Sequence, residues 1–463
     1  MKFDKFLAIL AYAYQAFATL ALVFCIGYLL PVSDYGRYSL VVATAQAVAV
    51  FAFDWIRQAA TRFCANMGRA DAELRKQTIL VTFFIASFAL FLVGVLAVLL
   101  GVANRSEISL GIVVALMMGA TDLQLVFLRV QGSFSKFSVL QTLRASFLLA
   151  CSCLFAWWIG SSVGALLGLT VGYVLTFGLF VGVSPSWWRI RPAFARMELF
   201  KNMARYGTSA AAASVVGLQV PLLLRWVAKS VMPLEAFAGF SLAMDILQKP
   251  FALVTTAIGG VLSPAVIVFF EENPNAYSKK LKRLYEMQFW AVLLVLGGAV
   301  ALLPDVSAIF VKAGLREGLL SSAVSVGLIF AIHTLIQTTI AIPGHLLKAG
   351  RRLVLNALVE LGLVAVSLIP FAIFRFGHPF DWLWIVCLSV LAAGVYSLPL
   401  MRAVPCHRPI ASLTIAPVVA FLVALNYFWV CGLTAFLALK LVWLAIICGL
   451  GLAIYRVASA RWG

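Results

Sequence analysis

Fourteen apolar stretches recur along the chain, at 6–30, 38–60, 78–102, 108–130, 138–158, 163–184, 207–228, 236–260, 287–304, 318–341, 353–375, 382–402, 410–430 and 434–455. A helix needs roughly 20 apolar residues to cross the hydrocarbon core of a bilayer. Runs of this length, repeated this often, leave room for little but an all-α polytopic membrane protein. The balance of side chains agrees, since 63% are hydrophobic and only 11% charged. The first run is too long for the apolar core of a signal peptide, roughly 7–15 residues, and no small-residue cleavage site follows it. It reads as the first membrane helix.

The net charge of +18 would suggest nucleic acid in a soluble protein. Here the basic residues are spread over short loops, which points to topology and to anionic membrane lipid, not nucleic acid. With the N-terminus cytoplasmic, 25 basic residues fall on the inner side and six on the outer. The bias expects both termini in the cytoplasm. Trp157, Trp158, Trp382, Trp384 and Trp429 fall near outer ends of spans and Trp187 and Trp188 near an inner one, as interfacial belts would place them. The eight cysteines sit mostly inside apolar runs, and without Cys-x-x-Cys or a Cys/His cluster they suggest neither a metal site nor a disulfide framework. No cofactor is expected. Catalysis finds no support either: nucleophile-elbow, phosphate-loop and zinc-helix motifs are absent, and no loop is large enough to carry the acids of a glycan-assembly enzyme.

The longest inner segment, Pro185 to Gly207, holds five basic residues against Glu198 alone and reads as an amphipathic linker. It divides an N-terminal bundle (1–184) from a C-terminal one (207–402), with the linker at 185–206 and two further helices over 403–463. A shift of 202 residues aligns "PVSDYGRYSLVVATAQ" with "PLEAFAGFSLAMDILQ", placing Pro31 on Pro233, Tyr35 on Phe237, Tyr38 on Phe240, Ser39 on Ser241 and Gln46 on Gln248. Six spans separate the copies, so both halves point the same way, as in transporters that rock one half against the other. Between spans 1 and 2, "PVSDYGRYSL" is expected to turn the chain outside the membrane, with Pro31 and Gly36 as turn residues and the tyrosines at the interface.

Ionisable groups inside spans are costly and mark functional interiors. Asp54, Arg57, Asp122, Arg225, Asp245, Lys249, Glu360 and Lys440 stand out. Asp245 and Lys249 are one turn apart on span 8, with Gln248 beside them: either a self-contained ion pair or an anion-binding cation held until substrate arrives. Arg57 and Arg225 either snorkel to headgroups or, with Lys249, line a path for an anionic headgroup at inner, outer and middle depth. Asp122, Asp245 and Glu360 are candidate proton or sodium sites, the alternative being internal hydrogen bonds or ion pairs. His333 reads as a satisfied interior histidine and Lys440 as a snorkelling one.

The stretch "LLPVSDYGRYSLVVATAQAVAVFAFDWIRQAATRF" resembles the first conserved block of the Wzx-type polysaccharide transporters, the flippases of O-antigen and exopolysaccharide synthesis. Leu30 with Pro31, Tyr35-Gly36 and Tyr38-Ser39 carry the likeness, and "EAFAGFSLAMDILQKPF" and "HLLKAGRR" extend it over roughly residues 6–360. That superfamily also holds the multidrug (MATE) exporters and the lipid II flippases. An aspartate common before the span 7 arginine is replaced here by Leu224.

The resemblance implies a V-shaped, MATE-like arrangement of two six-helix bundles around a cavity lined by spans 1, 2, 7 and 8, in the bacterial inner membrane. Its implied substrate is a polyprenyl-diphosphate-linked oligosaccharide, flipped to the outer leaflet by antiport with H+ or Na+. Polysaccharide polymerase and chain-length proteins are the implied partners. Arg57, Arg225, Lys249, Gln46 and Gln248 are the candidate substrate-binding residues. A multidrug or metabolite antiporter of the same superfamily and a membrane enzyme of glycan assembly are the competing readings.

Overall fold

The computed structural model describes residues 2–64, 69–101, 105–130, 132–183, 188–192, 195–254 and 310–346, with scattered positions between 288 and 308. The expected spans 11–14, and with them Glu360 and Lys440, lie outside the described residues. The chain divides into two compact units, 1–222 and 223–463. The first contains α1 (Lys2–Leu29), α2 (Val32–Phe63), α3 (Arg69–Leu99), α4 (Arg105–Val130), α5 (Phe134–Ile159), α6 (Ser162–Val183) and most of α7 (Met197–Val231). The second contains the end of α7, then α8 (Leu234–Val254) and α9 (Ala313–Leu346). Among the described residues, six helices, α1 to α6, are long and apolar enough to cross a membrane. The protein is a multi-pass membrane protein.

The stretch between the first two spans is not a loop. Helix α2 begins at Val32, directly after Pro31, and the Tyr35 N–H already donates to the Pro31 carbonyl at 2.9 Å. Proline suits this position because its fixed φ and missing N–H cost nothing at a helix start. Gly36 is therefore helical, and Tyr35 and Tyr38 are buried in the first unit instead of lying at the interface. The other copy behaves alike. Helix α8 begins at Leu234 after Pro233, the Phe237 N–H donates to the Pro233 carbonyl at 2.9 Å, and Phe237, Phe240 and Ser241 are buried. Asp34 and Glu235 lie in the first turns, where the helix dipole favours an acid.

Helix α7 starts at Met197, within the basic segment after span 6, and runs on through the expected seventh span. The earlier part of that segment is strapped to the first half of α3. The Gln77 side chain, wholly buried, donates to the Arg189 carbonyl at 2.9 Å and accepts from the Arg191 N–H at 2.7 Å. Trp188 packs edge-on against Phe83, Phe84 and Phe177, with ring centroids 5.0–6.1 Å apart. It is half-buried in an aromatic nest, while Trp157 and Trp158 are exposed at the end of α5.

Small residues set the closest helix crossings, as they do in membrane bundles generally. A Cβ on Gly239 of α8 would stand 2.5 Å from the backbone of Gly318 on α9. Backbone cannot yield as a side chain can. Gly239→Val is expected to destabilise the fold by roughly 1–3 kcal/mol, seen as a lower unfolding temperature of the purified protein in detergent than for Gly178→Val, at a position open for a Cβ.

Candidate functional site

Four charged side chains from three helices form an alternating series in the first unit. Asp54 and Arg57, one turn apart on α2, pair with each other. Arg57 Nη1 lies 3.8 Å from Asp122 Oδ2 on α4, and Arg144 Nη1 of α5 donates to Asp122 Oδ1 at 2.5 Å. The order is acid, base, acid, base, and the charges cancel. Cancellation is what allows such groups inside a bundle, since an unpaired ion there bears several kcal/mol of desolvation.

Exposure within the series is uneven. The Asp54 and Arg144 side chains are 1% and 9% exposed, while Arg57 is 39% exposed. Arg57 opens, with Asp54 and Asp122, into a shallow cleft between α2, α3 and α4. The remaining wall is apolar, with Phe53, Ile56, Phe83, Met118 and Leu123 among its residues. Gly119 makes room for the Phe53 ring, which a Cβ at that position would meet at 2.3 Å.

Arg144 is the member that sequence reading misses. It falls among the basic residues counted to the inner side, because 138–158 was expected to begin just before it. The helix starts earlier, at Phe134, and this carries Arg144 inward onto a buried face. The signal lay in "QTLRA": Gln141 and Arg144 are spaced to share a face in an otherwise apolar run. Gln141 indeed meets Gln15 of α1, and below them Arg129 approaches the Tyr12 hydroxyl at 3.5 Å.

A second cluster lies in the second unit. Arg225, near the end of α7, donates through Nη2 to Asp245 Oδ1 on α8 at 2.5 Å. Its side chain is 3% exposed, so it does not snorkel to headgroups. Lys229, one turn on, shows the contrasting behaviour, with its ammonium 5.6 Å over the exposed Trp226 ring. Leu224, standing where the resemblance expects an acid, is core, and Arg225 takes its carboxylate from the neighbouring helix instead. Lys249 lies one turn beyond Asp245 on α8. This triad holds two cations and one acid, an excess of one positive charge. Gln248 is half-buried on α8, as is Gln46 on α2. Among the described residues, no group of three or more His, Cys, Asp or Glu side chains is arranged to hold a metal ion.

No family model and no curated protein sequence matches the chain. Solved structures do. The lipid II flippase MurJ in an inward closed conformation aligns with a TM-score of 0.68 at 12% identity, over 98% of this chain and 98% of that one. A multidrug resistance MATE family transporter of the MOP superfamily, in an inward-facing conformation, aligns with a TM-score of 0.64 at 13% identity, over 86% and 98%. A MOP superfamily transporter from Pyrococcus furiosus, described as having a binding pocket of reversed polarity, aligns with a TM-score of 0.52 at 13% identity, over 86% and 94%. These are transporters and a flippase, not enzymes. At such identities the likeness is one of architecture, and the chain has the membrane fold shared by MATE transporters of the MOP superfamily and the flippase MurJ.

Proposed function

We propose that the protein is a flippase for a polyprenyl-diphosphate-linked oligosaccharide, moving it from the cytoplasmic to the outer leaflet of the bacterial inner membrane by alternating access, for surface polysaccharide synthesis. The observation that carries the proposal is the buried Arg225–Asp245 ion pair with a second basic side chain, Lys249, one turn along α8. A diphosphate leaving water needs fixed cations to replace its lost hydration. Arg225 is committed to Asp245, so Lys249 is the cation available to substrate. Arg57, half-exposed in its apolar cleft, offers a second contact of the same kind. The "PVSDYGRYSL" block and its second copy, resembling the Wzx-type transporters, support this substrate over others. The two-bundle organisation with both termini cytoplasmic belongs to the same proposal. So does antiport with H+ or Na+. The carboxylates proposed for that coupling are Asp122 and Asp245, each ion-paired to an arginine, and Glu360.

The structural likeness to a multidrug transporter keeps export of cationic drugs as the second reading. A cationic drug would need uncompensated acids, yet Asp54, Asp122 and Asp245 each face an arginine.

Lys249→Ala is expected to lower export about 10–100-fold, the worth of one charge-assisted contact. Lys249→Arg is expected to keep most of it. Surface polysaccharide and accumulated lipid-linked sugar are measured in cells whose membranes hold equal amounts of each variant. Normal export by Lys249→Ala removes the assignment. Drug resistance on overexpression, with surface polysaccharide intact on deletion, establishes the second reading.

A further inference from the structure

The strap that precedes α7 is held by its backbone and free in its cations. The Gln77 amide bonds the carbonyl of Arg189 at 2.9 Å and the N–H of Arg191 at 2.7 Å, so one buried side chain grips the chain on both sides of Ile190. It also donates to Glu73 Oε1 at 2.8 Å. The neighbouring Thr78 hydroxyl accepts from the Arg196 N–H at 3.4 Å. Arg189, Arg191 and Arg196 are all exposed. Among the described residues these three enter no ion pair, and Glu73, the acid at the clamp, is taken by Lys76 and Gln77. Buried Arg144 and Arg225 differ in this, since each has its own carboxylate.

The clamp also sets the depth of these cations. The apolar span of α3 runs from Glu73 to Leu99, and Gln77 lies one turn inside its first end. Phospholipid headgroups and interfacial aromatic rings occupy this level of a bilayer. Trp188, beside Arg189, has its ring centroid 6.1 Å from that of Phe84 on α3. Phe84, Phe88 and Phe91 follow at i, i+4 and i+7, on one face of the helix, and all three are exposed. An apolar track about 10 Å long therefore leads along α3 to the arginines. Cations at headgroup depth, joined to an apolar track that continues into the hydrocarbon, match the two ends of a lipid. A choline headgroup would bring its own ammonium against three guanidinium groups, whereas an anionic headgroup brings only negative charge.

We propose that the strap and α3 form a binding site for an anionic phospholipid. Its phosphate lies on Arg189, Arg191 and Arg196, and an acyl chain lies along Phe84, Phe88 and Phe91. Bound lipid fastens the segment between α6 and α7 to the leaflet it meets. The site shares no residue with the two charged clusters and does not depend on the transported substrate.

The test is native mass spectrometry of the full-length protein in detergent, given equal amounts of dioleoyl phosphatidylglycerol and dioleoyl phosphatidylcholine. The two lipids have the same acyl chains, so their ratio reads the headgroup. Phosphatidylglycerol is expected to be retained at least about five-fold over phosphatidylcholine, the effect of one surface cation. The variant Arg189→Gln/Arg191→Gln/Arg196→Gln, altered only at exposed positions, is expected to bring the ratio close to one. Lys136→Gln/Lys229→Gln/Lys312→Gln removes the same charge from other exposed positions and is expected to keep the preference. Equal retention of the two lipids by the unsubstituted protein overturns the proposal. So does an equal loss of preference in both triple variants, which would mean attraction by net charge alone. Displacement of phosphatidylglycerol by excess inorganic phosphate also overturns it, and makes the arginines a site for free phosphate.

Discussion

Replacing Asp245 with leucine is expected to destabilise the protein by about 3–5 kcal/mol, the cost of leaving a buried ion without its partner. Arg225, 3% exposed, would keep its charge, because a guanidinium does not lose its proton in a protein. Its Nε already lacks a hydrogen-bond partner, so the bond to Asp245 accounts for most of its compensation. The opposite substitution is milder. Arg225→Leu leaves Asp245 20% exposed and one turn from Lys249, and is expected to cost about 1–2 kcal/mol. Adding Arg225→Leu to Asp245→Leu should therefore recover part of the loss, since a leucine pair is content where a lone arginine is not. Thermal unfolding in detergent, with ligand absent, reads the order of the three variants. Should Asp245→Leu prove no worse than Arg225→Leu, Asp245 is not the anchor of that arginine.

What the sequence shows of this protein is depth, and what it hides is rotation. An apolar run of membrane length announces a helix, and the starts at Pro31 and Pro233 follow from the chemistry of proline. Helices that are apolar all round, however, carry no polar stripe to say which side faces the bundle. Asp122 was visible as an acid within a span, but its partner was not, because the contact with Arg144 joins helices and depends on how α4 and α5 are turned. Asp245 likewise looked paired with Lys249 one turn away, whereas the short contact reaches across to Arg225. Tyr35 and Tyr38 misled for a related reason. Tyrosine, glycine and arginine beside a proline have the composition of an interfacial turn, and burial against neighbouring helices overrides that local preference.

The function of the first unit depends on how its four charges are shared. Arg144→Leu removes the strongest partner of Asp122 and leaves the Asp122 carboxylate to draw on Arg57, now 3.8 Å away. That pull takes the guanidinium from Asp54 and from the cleft, so transport is expected to fall at least about ten-fold, an effect of one rearranged charge contact. Asp122→Leu is expected to fail for the mirrored reason, a buried Arg144 without an acid. The double variant Asp122→Leu/Arg144→Leu removes one charge of each sign and leaves the Asp54–Arg57 pair in place. It is expected to transport within about three-fold of the unsubstituted protein, a loss far smaller than the sum of the two single losses, which marks the pair as coupled. Export of lipid-linked sugar and its dependence on an imposed proton or sodium gradient are measured together. A double variant that transports but has lost its dependence on the gradient would identify Asp122 as a coupling carboxylate. Retention of both identifies Asp122 and Arg144 as counter-ions that hold Arg57 at the mouth of its cleft.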